Sequence, residues 1–375
     1  MAVDIVETRI GGDIRNFLSV VDYIYRDDPR YVRPLDMDIK TRLSRKNPFF
    51  EHAEGTMFTA LRNGWCVGRC TAQIDREHLA RYKDDAGFFG FLDTINDQEV
   101  ATALLDRARH WLGDRGMKKI RGPFSLSINE EMGCLVEGFD TPPMVMMPHH
   151  HAYQATLIEN AGFTKLKDAY AWRYETGELK KRVAQAVDEI NAMPEVQARE
   201  VDPKHLERDV RLVMQVFNDA WMDNWSFVPF TESELSAMAR DMKLILDPSI
   251  TCITTIDGEP AAVALAIPNL NAMIKDLKGK LLPTGFLKLL YRLKLQRPDH
   301  ARLAILGVCK KFRNNRKYAG LSLYLYGRLN NSGRRNGYRW GELSWTLEDN
   351  GPVNTAIRMM GGSVYKKYRV FERDV

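Results

Sequence analysis

Hydrophobic positions along this chain switch repeatedly between a period of two and a period near 3.6, and each switch marks an element. A short strand over residues 4–9 precedes a helix over 13–25, whose apolar face is Ile14, Phe17, Leu18, Val21 and Ile24. Asp13 follows a Gly-Gly turn and is placed to cap that helix. Residues 28–50 mix proline with charge and predict loop with one short helix. The runs 56–61 and 66–74 alternate around Arg62-Asn63-Gly64, and Asn-Gly between two such runs predicts a hairpin. A strand over 87–92, a helix over 98–112, a strand over 119–121, a long loop over 122–148, a helix over 152–160 and a strand pair over 163–174 follow.

A charged helix over 179–193, closed by Pro194, reads as a linker. The order then returns. A strand over 196–201, helices over 203–221 and 232–246, and a hairpin of 250–256 with 261–267 around Asp257-Gly258 come first. After an insertion come a strand over 301–308, a helix over 321–334, a strand over 341–345, a helix over 352–360 and a strand over 365–371. Each half predicts an α/β (α+β) mixed sheet flanked by helices. The expected organisation is a first module over 1–177, a helical linker over 178–195, and a second module over 196–375 that carries an insertion at 270–297.

The length of 375 residues suits two such modules. No apolar run approaches the ~18 residues of a membrane span. The start of the chain lacks a basic segment followed by an apolar one, so a cytoplasmic protein is expected. The five cysteines are odd in number and show no disulfide spacing; Cys66 and Cys70 fall in one strand and read as buried thiols. His149-His150-His151 cannot turn three ligands to one side, so no metal site is expected. The net charge of +5 says little until it is located: between Lys275 and Lys317 there are 13 basic residues against two acids, Asp276 and Asp299. Such a block wants an anionic partner.

Within that block, residues 301–320, ARLAILGVCKKFRNNRKYAG, run as an apolar strand, a basic turn and a helix start. First-turn amides, the helix dipole and basic side chains together make an anion site suited to a pyrophosphate. Here the chain resembles the GNAT superfamily of acyltransferases. The family's phosphate loop reads Gln or Arg, two residues, Gly, one residue, then Gly or Ala. The matching run is Arg316-Lys317-Tyr318-Ala319-Gly320-Leu321: Arg316 matches, Ala319 replaces Gly, and Leu321 replaces Gly or Ala. The next strand, GELSW, and the helix and strand after it follow the family's order. The resemblance covers about 196–374 in detail and 4–175 by element order. The first half offers only the acidic FLDTINDQEV at the corresponding place, where a pyrophosphate would be repelled.

The resemblance implies a coenzyme A thioester as co-substrate, held by Leu306, Gly307, Val308, Arg313, Arg316, Lys317, Tyr318, Ala319, Gly320, Leu321 and Asn354. It places the residues after GELSW at the reacting centre. Glu348 is the first candidate base, with Glu342 after it; capping of the following helix by 348–350 stays open as its other role. The family's acid, a tyrosine in the last helix, is replaced here by Arg358-Met359-Met360, which leaves Tyr365 and Tyr368 as the nearby hydroxyls. His149 and Glu130 are candidate bases from the first half. Trp225, Phe227 and Trp345 are candidate walls of the acceptor pocket.

In the insertion, Phe286, Leu289, Leu290 and Leu293 recur at helical spacing, with Lys288, Arg292 and Lys294 beside them. A basic amphipathic helix suits an anionic membrane surface, and its apolar face a long acyl chain or a lipid amine. With that insertion the chain is similar to two-module GNAT N-acyltransferases, bacterial ceramide synthases among them, which join a fatty acyl group to a sphingoid-base amine. Two other readings stay open: a phosphate-, membrane- or nucleic-acid-binding module without catalysis, and a transferase using charged transfer RNA. The block lacks a nucleic-acid-binding motif, which disfavours nucleic acid as partner.

Overall fold

Asn63 and Gly64 both take positive φ, 54° and 77°, and Asp257 and Gly258 do the same at 51° and 78°. This is the turn chemistry that matches the twist of two paired strands, and it fixes a hairpin in each half. The computed structural model describes residues 2–375 and contains fifteen strands among them. They are β1 Asp4–Arg9, β2 Ala53–Arg62, β3 Trp65–Asp75, β4 Ala86–Thr94, β5 Lys119–Gly122, β6 Phe124–Ser125, β7 Glu131–Met132, β8 Cys134–Glu137, β9 Thr164–Glu175, β10 Val196–Arg199, β11 Thr251–Ile256, β12 Glu259–Pro268, β13 His300–Val308, β14 Trp340–Leu347 and β15 Ser363–Asp374. The chain divides into two units: residues 1–169, 273–290 and 366–375, and residues 170–272 and 291–365.

In the first unit β1 to β4 pair antiparallel in chain order, and β5 lies parallel to β4. The end of the chain completes this sheet, with Phe371 to Asp374 of β15 antiparallel to β5. One face packs Phe58, Cys70, Phe89 and Ile120 against Leu104, Leu105 and Trp111 of the helix Gln98–Gly113. The other packs Met57 and Phe91 against Phe17 and Leu18 of the helix Arg15–Ile24. In the second unit the order is β14-β13-β12-β11-β10, with only the β13–β14 pair parallel. Helices Leu321–Arg335 and Lys181–Asn191 cover one face through Leu321, Tyr324, Leu325, Val183 and Val187. Both units are therefore mixed sheets flanked by helices.

Several local expectations change. Asp13 lies one residue before the assigned N-cap, Ile14, which makes no side-chain bond; its Oδ1 accepts the N–H of Arg15, the first helical residue, at 3.1 Å, and its carboxylate also pairs with the Arg15 guanidinium at 2.6 Å. The expected strand pair over 163–174 is one strand, β9 Thr164–Glu175, because no turn residue interrupts it. The helix Arg76–Tyr82 escapes an apolar-period reading because it is short and polar; Asp75 starts it by accepting from the N–H groups of Glu77 and His78. The loop over 122–148 contains β6, β7 and β8, and besides the one short helix within 28–50, Asp36–Arg42, a second, Phe49–His52, starts at the end of that stretch.

Candidate acyl-transfer site

β13 and β14 share four rungs, from His300↔Trp340 to Leu303↔Leu343, and pair no further. The cause is on the other side of β13. Its register with β12 slips between Leu265↔Ile305 and Ala266↔Leu303, so Ala304 is an extra residue and the strand bends there. Ser344 is the first residue of β14 beyond the shared ladder. Parallel strands that stop pairing leave backbone groups open to a ligand, as they do at switch points of α/β sheets.

Past β13 the chain turns through the short helix Lys310–Arg313 and the single turn Arg316–Tyr318 into the helix Leu321–Arg335. Gly320 is the N-cap of that helix and makes no side-chain capping bond. The helix therefore presents its first-turn amides and positive dipole end without a competing carboxylate. Of the basic side chains in the turn, three are claimed locally: Lys310 by Asp223 at 2.8 Å, Lys311 by Glu259 and Lys317 by Glu195, both at 2.5 Å. Arg313 donates to the carbonyl of Ala220 at 3.3 Å, and Arg316 is exposed on the turn. Tyr318 is buried, with its hydroxyl 3.3 Å from Glu195, and Ala319 is exposed beside it. On β13, a Cβ at Gly307 would come within 2.9 Å of Ala220, so glycine lets the helix Leu206–Trp221 approach. Leu306 receives the Trp221 indole N–H on its carbonyl at 3.4 Å, and Val308 is buried at the strand's end. Asn354 is 2 % exposed and spends both ends of its amide on β14: it accepts from Thr346 at 2.6 Å and donates to the Leu347 carbonyl at 2.9 Å.

The register places Arg302 beside Glu342, on the same side of the sheet as Ser344. Glu342 has no exposed surface. Its Oε1 accepts the Ser344 hydroxyl at 2.5 Å, its Oε2 accepts the Tyr365 hydroxyl, and Arg302 Nε stands 3.8 Å away. Arg302 Nε also donates to Ser344 Oγ at 2.8 Å. The structure thus joins two of the expected residues, Glu342 and Tyr365, through a hydrogen bond. Arg302 and Ser344 were missed; the available signal was a charged or hydroxyl residue at matching offsets inside two otherwise apolar strands. Glu348 lies half-buried in the turn beyond β14. Trp345 meets Trp221 edge to face at 5.6 Å, and Phe217 links Trp221 (4.8 Å) to Phe227 (5.4 Å), giving an apolar aromatic group. Trp225 is half-buried in the same segment.

His149 and Glu130 belong to the first unit and are engaged there. His149 Nε2 lies 2.8 Å from Asp28, and burial lowers its pKa. His150 is pushed down to about 4, mainly by burial, and accepts the Leu135 N–H at 3.2 Å, so it is neutral. Glu130 is pushed up to about 7 by burial, against the pull of Arg42 at 2.8 Å, which also binds Glu131 at 3.0 Å. In the insertion, Leu289 packs with Val32, Ile274 and Leu277 of the first unit, Leu290 and Leu293 are half-buried, and Phe286 is exposed. The side chain of Lys294 lies outside the described ones.

No family model matches the chain. Among solved structures, a tandem GNAT protein from the clavulanic acid biosynthesis pathway superposes with a TM-score of 0.58 at 12% identity, over 99% of this chain and 98% of that one. A GCN5-related N-acetyltransferase from Sphaerobacter thermophilus gives 0.53 at 12% identity, over 99% and 95%. In sequence, the chain is 37% identical over 376 residues to a bacterial ceramide synthase of Caulobacter vibrioides, covering 99% of this chain and 97% of the relative. The chain belongs to the family of this bacterial ceramide synthase and has the tandem GNAT fold. Protein YghO of Escherichia coli is a second relative, 36% identical over 365 residues, which are 97% of this chain and 93% of that protein. An acyltransferase of this fold needs an acyl donor and an amine acceptor.

Proposed function

We propose that this acyltransferase moves a long-chain acyl group from coenzyme A to the amine of a sphingoid-type lipid base. The observation that carries the reading is the Glu342–Tyr365 pair, set beside the point where β13 and β14 cease to pair. The uncapped start of the helix Leu321–Arg335 suits the pyrophosphate, with Arg313 and Arg316 on the turn, the backbone of Ala319, Gly320 and Leu321 at its end, and Leu306 to Val308 as the strand edge toward the thioester. Coenzyme A supplies the acyl carbonyl in an activated form. The first unit offers no equivalent: the start of its helix Gln98–Gly113 is closed by Asp97, which accepts the Val100 N–H at 3.2 Å, and Glu99 adds a second acid.

Amide formation from an ammonium makes a C–N bond, breaks the C–S bond, and takes two protons from the nitrogen: one goes to a base before attack, and the second ends on the leaving thiolate. Because Tyr365 directs its own proton to Glu342, its oxygen keeps lone pairs for an N–H of the incoming ammonium. Passing that proton to Tyr365 as Tyr365 passes its own to Glu342 yields the neutral amine. Ser344 and Arg302 hold the carboxylate in place meanwhile. Glu348 is the alternative acceptor at the end of β14. The lipid assignment is supported by the name of the Caulobacter relative and by the aromatic group around Trp221 and Trp345. Each methylene buried contributes about 0.8 kcal/mol, so chain length outweighs most polar discrimination. The test is thiol release from palmitoyl- and acetyl-coenzyme A, with and without sphinganine, and mass spectrometry of the product. Sphinganine-dependent release with the long-chain amide is expected. Release indifferent to sphinganine, or equal use of the acetyl donor, overturns the assignment.

A further inference from the structure

Large apolar side chains that stand exposed are scattered over most of the molecule, but not here. Of the eleven among the described residues, five fall between Leu282 and Leu295: Leu282 at 82 %, Phe286 at 51 %, Leu287 at 66 %, Tyr291 at 55 % and Leu295 at 69 %. Phe286, Leu287, Tyr291 and Leu295 lie on the helix Gly285–Leu295, and Leu282 just precedes it. That helix is apolar on more than one side. Leu289 points into a small core with Val32, Ile274 and Leu277, while its neighbours face outward. A basic helix that leaves this much apolar surface exposed beside its inward face suits the boundary between water and a second apolar phase. The segment leading to it is firmly held. Arg33 donates to the Lys278 carbonyl at 2.9 Å, and the Asp36 N–H donates to the Gly279 carbonyl at 2.9 Å. Gly279 has φ +80° and sits so close to Arg33 that a Cβ would fall 1.7 Å from the guanidinium, so only glycine fits. The outward side chains are therefore presented by an anchored element.

The charge around them has one sign. From Lys275 to Arg292 the basic residues Lys275, Lys278, Lys280, Lys288 and Arg292 face one acid, Asp276, and the four lysines are all exposed. No helix among the described residues is long and apolar enough to cross a membrane. We propose that this face seats the enzyme on an anionic bilayer surface, with Leu282 and Leu287 entering the acyl boundary and Lys278, Lys280 and Lys288 at the phosphates. Leucines inserted below a ring of lysines match both layers of such a surface, whereas a second copy of this chain would have to bring acids to the lysines. The assignment holds whether or not the amine acceptor is a lipid.

The test is co-sedimentation of the full chain with vesicles of phosphatidylcholine alone and with about 30 mol% phosphatidylglycerol. Binding to the anionic vesicles only is expected. Lys280→Glu/Lys288→Glu should weaken it by at least roughly 25-fold, about fivefold for each lysine lost, and added salt should do the same. Leu282→Ser/Leu287→Ser should weaken it by roughly a hundredfold at an unchanged melting temperature, since both side chains are already in water in the free protein. Equal binding to neutral vesicles overturns the proposal, as does wild-type affinity in either double variant. So does a shift from dimer to monomer on sedimentation of Leu282→Ser/Leu287→Ser without lipid, which would assign the face to a second copy.

Discussion

Tyr365 donates its hydroxyl to Glu342, a carboxylate with no exposed surface, across two strands that sequence separates by 23 residues. Burying a carboxylate costs several kcal/mol unless it is paired, and here Ser344 and Arg302 complete the pairing. In the mechanism proposed above, a group so enclosed acts on the substrate through Tyr365.

That arrangement predicts a shared defect. Tyr365→Phe removes the atom that meets the amine, and Glu342→Gln removes the sink for its proton; each should lower kcat by about 10²- to 10⁴-fold. The double variant should be little worse than either single one, because the two act as a unit. Rates of both should recover partly as pH rises and more amine is already neutral. Turnover of Tyr365→Phe within about threefold of wild type, with the fold intact by circular dichroism, would remove the pair from the mechanism.

Glu348 gives the opposite expectation. It lies in the turn past the end of β14, where the Asn354 amide already engages the backbone carbonyl of Leu347. With Tyr365 and Glu342 carrying the proton, Glu348→Gln should keep kcat within about threefold across pH. A loss of about a hundredfold that is rescued at high pH would make Glu348 the base instead.

The two hairpins, the bulged strand and the helix after the basic turn were legible because each is written in local chemistry: Asn-Gly, Asp-Gly, apolar runs and their ends. The electrostatics of the turn was not. Lys310, Lys311 and Lys317 look unopposed along the chain, yet Asp223, Glu259 and Glu195 reach them from residues distant in sequence. The same limit hid Arg302 and Ser344, whose roles exist only through the register that sets β13 beside β14. In the insertion, the apolar spacing was visible, but periodicity cannot say that Leu289 turns inward while Phe286 turns to solvent.

With those lysines paired, the proposed phosphate site depends more heavily on Arg316. Arg316→Glu places a like charge at the start of the helix Leu321–Arg335 and should weaken coenzyme A binding at least tenfold by calorimetry. Lys311→Glu, facing Glu259, should change it far less. Unaltered affinity in Arg316→Glu would put the pyrophosphate elsewhere.

The helix that carries Trp221 is fixed at its start by Asp209, and this fixes its acid response. Asp209 is fully buried and accepts from Arg199 at 2.7 Å, Arg208 at 3.0 Å and the Asp202 N–H at 2.8 Å. Burial alone would raise its pKa, but these donors outweigh it and hold the carboxyl down to about 2, against an ordinary 3.8. The folded state therefore binds its proton less readily than the unfolded chain. The stabilisation, about 2 kcal/mol, is complete above pH 4 and is lost as pH falls toward 2. Asp209→Asn should lower the unfolding free energy by about that much at pH 7, read from denaturant midpoints. The gap to wild type should narrow steadily between pH 4 and 2, because wild type alone pays the cost of protonation there. Two curves that run parallel through that window would mean that Asp209 acts through shape, not through its charge.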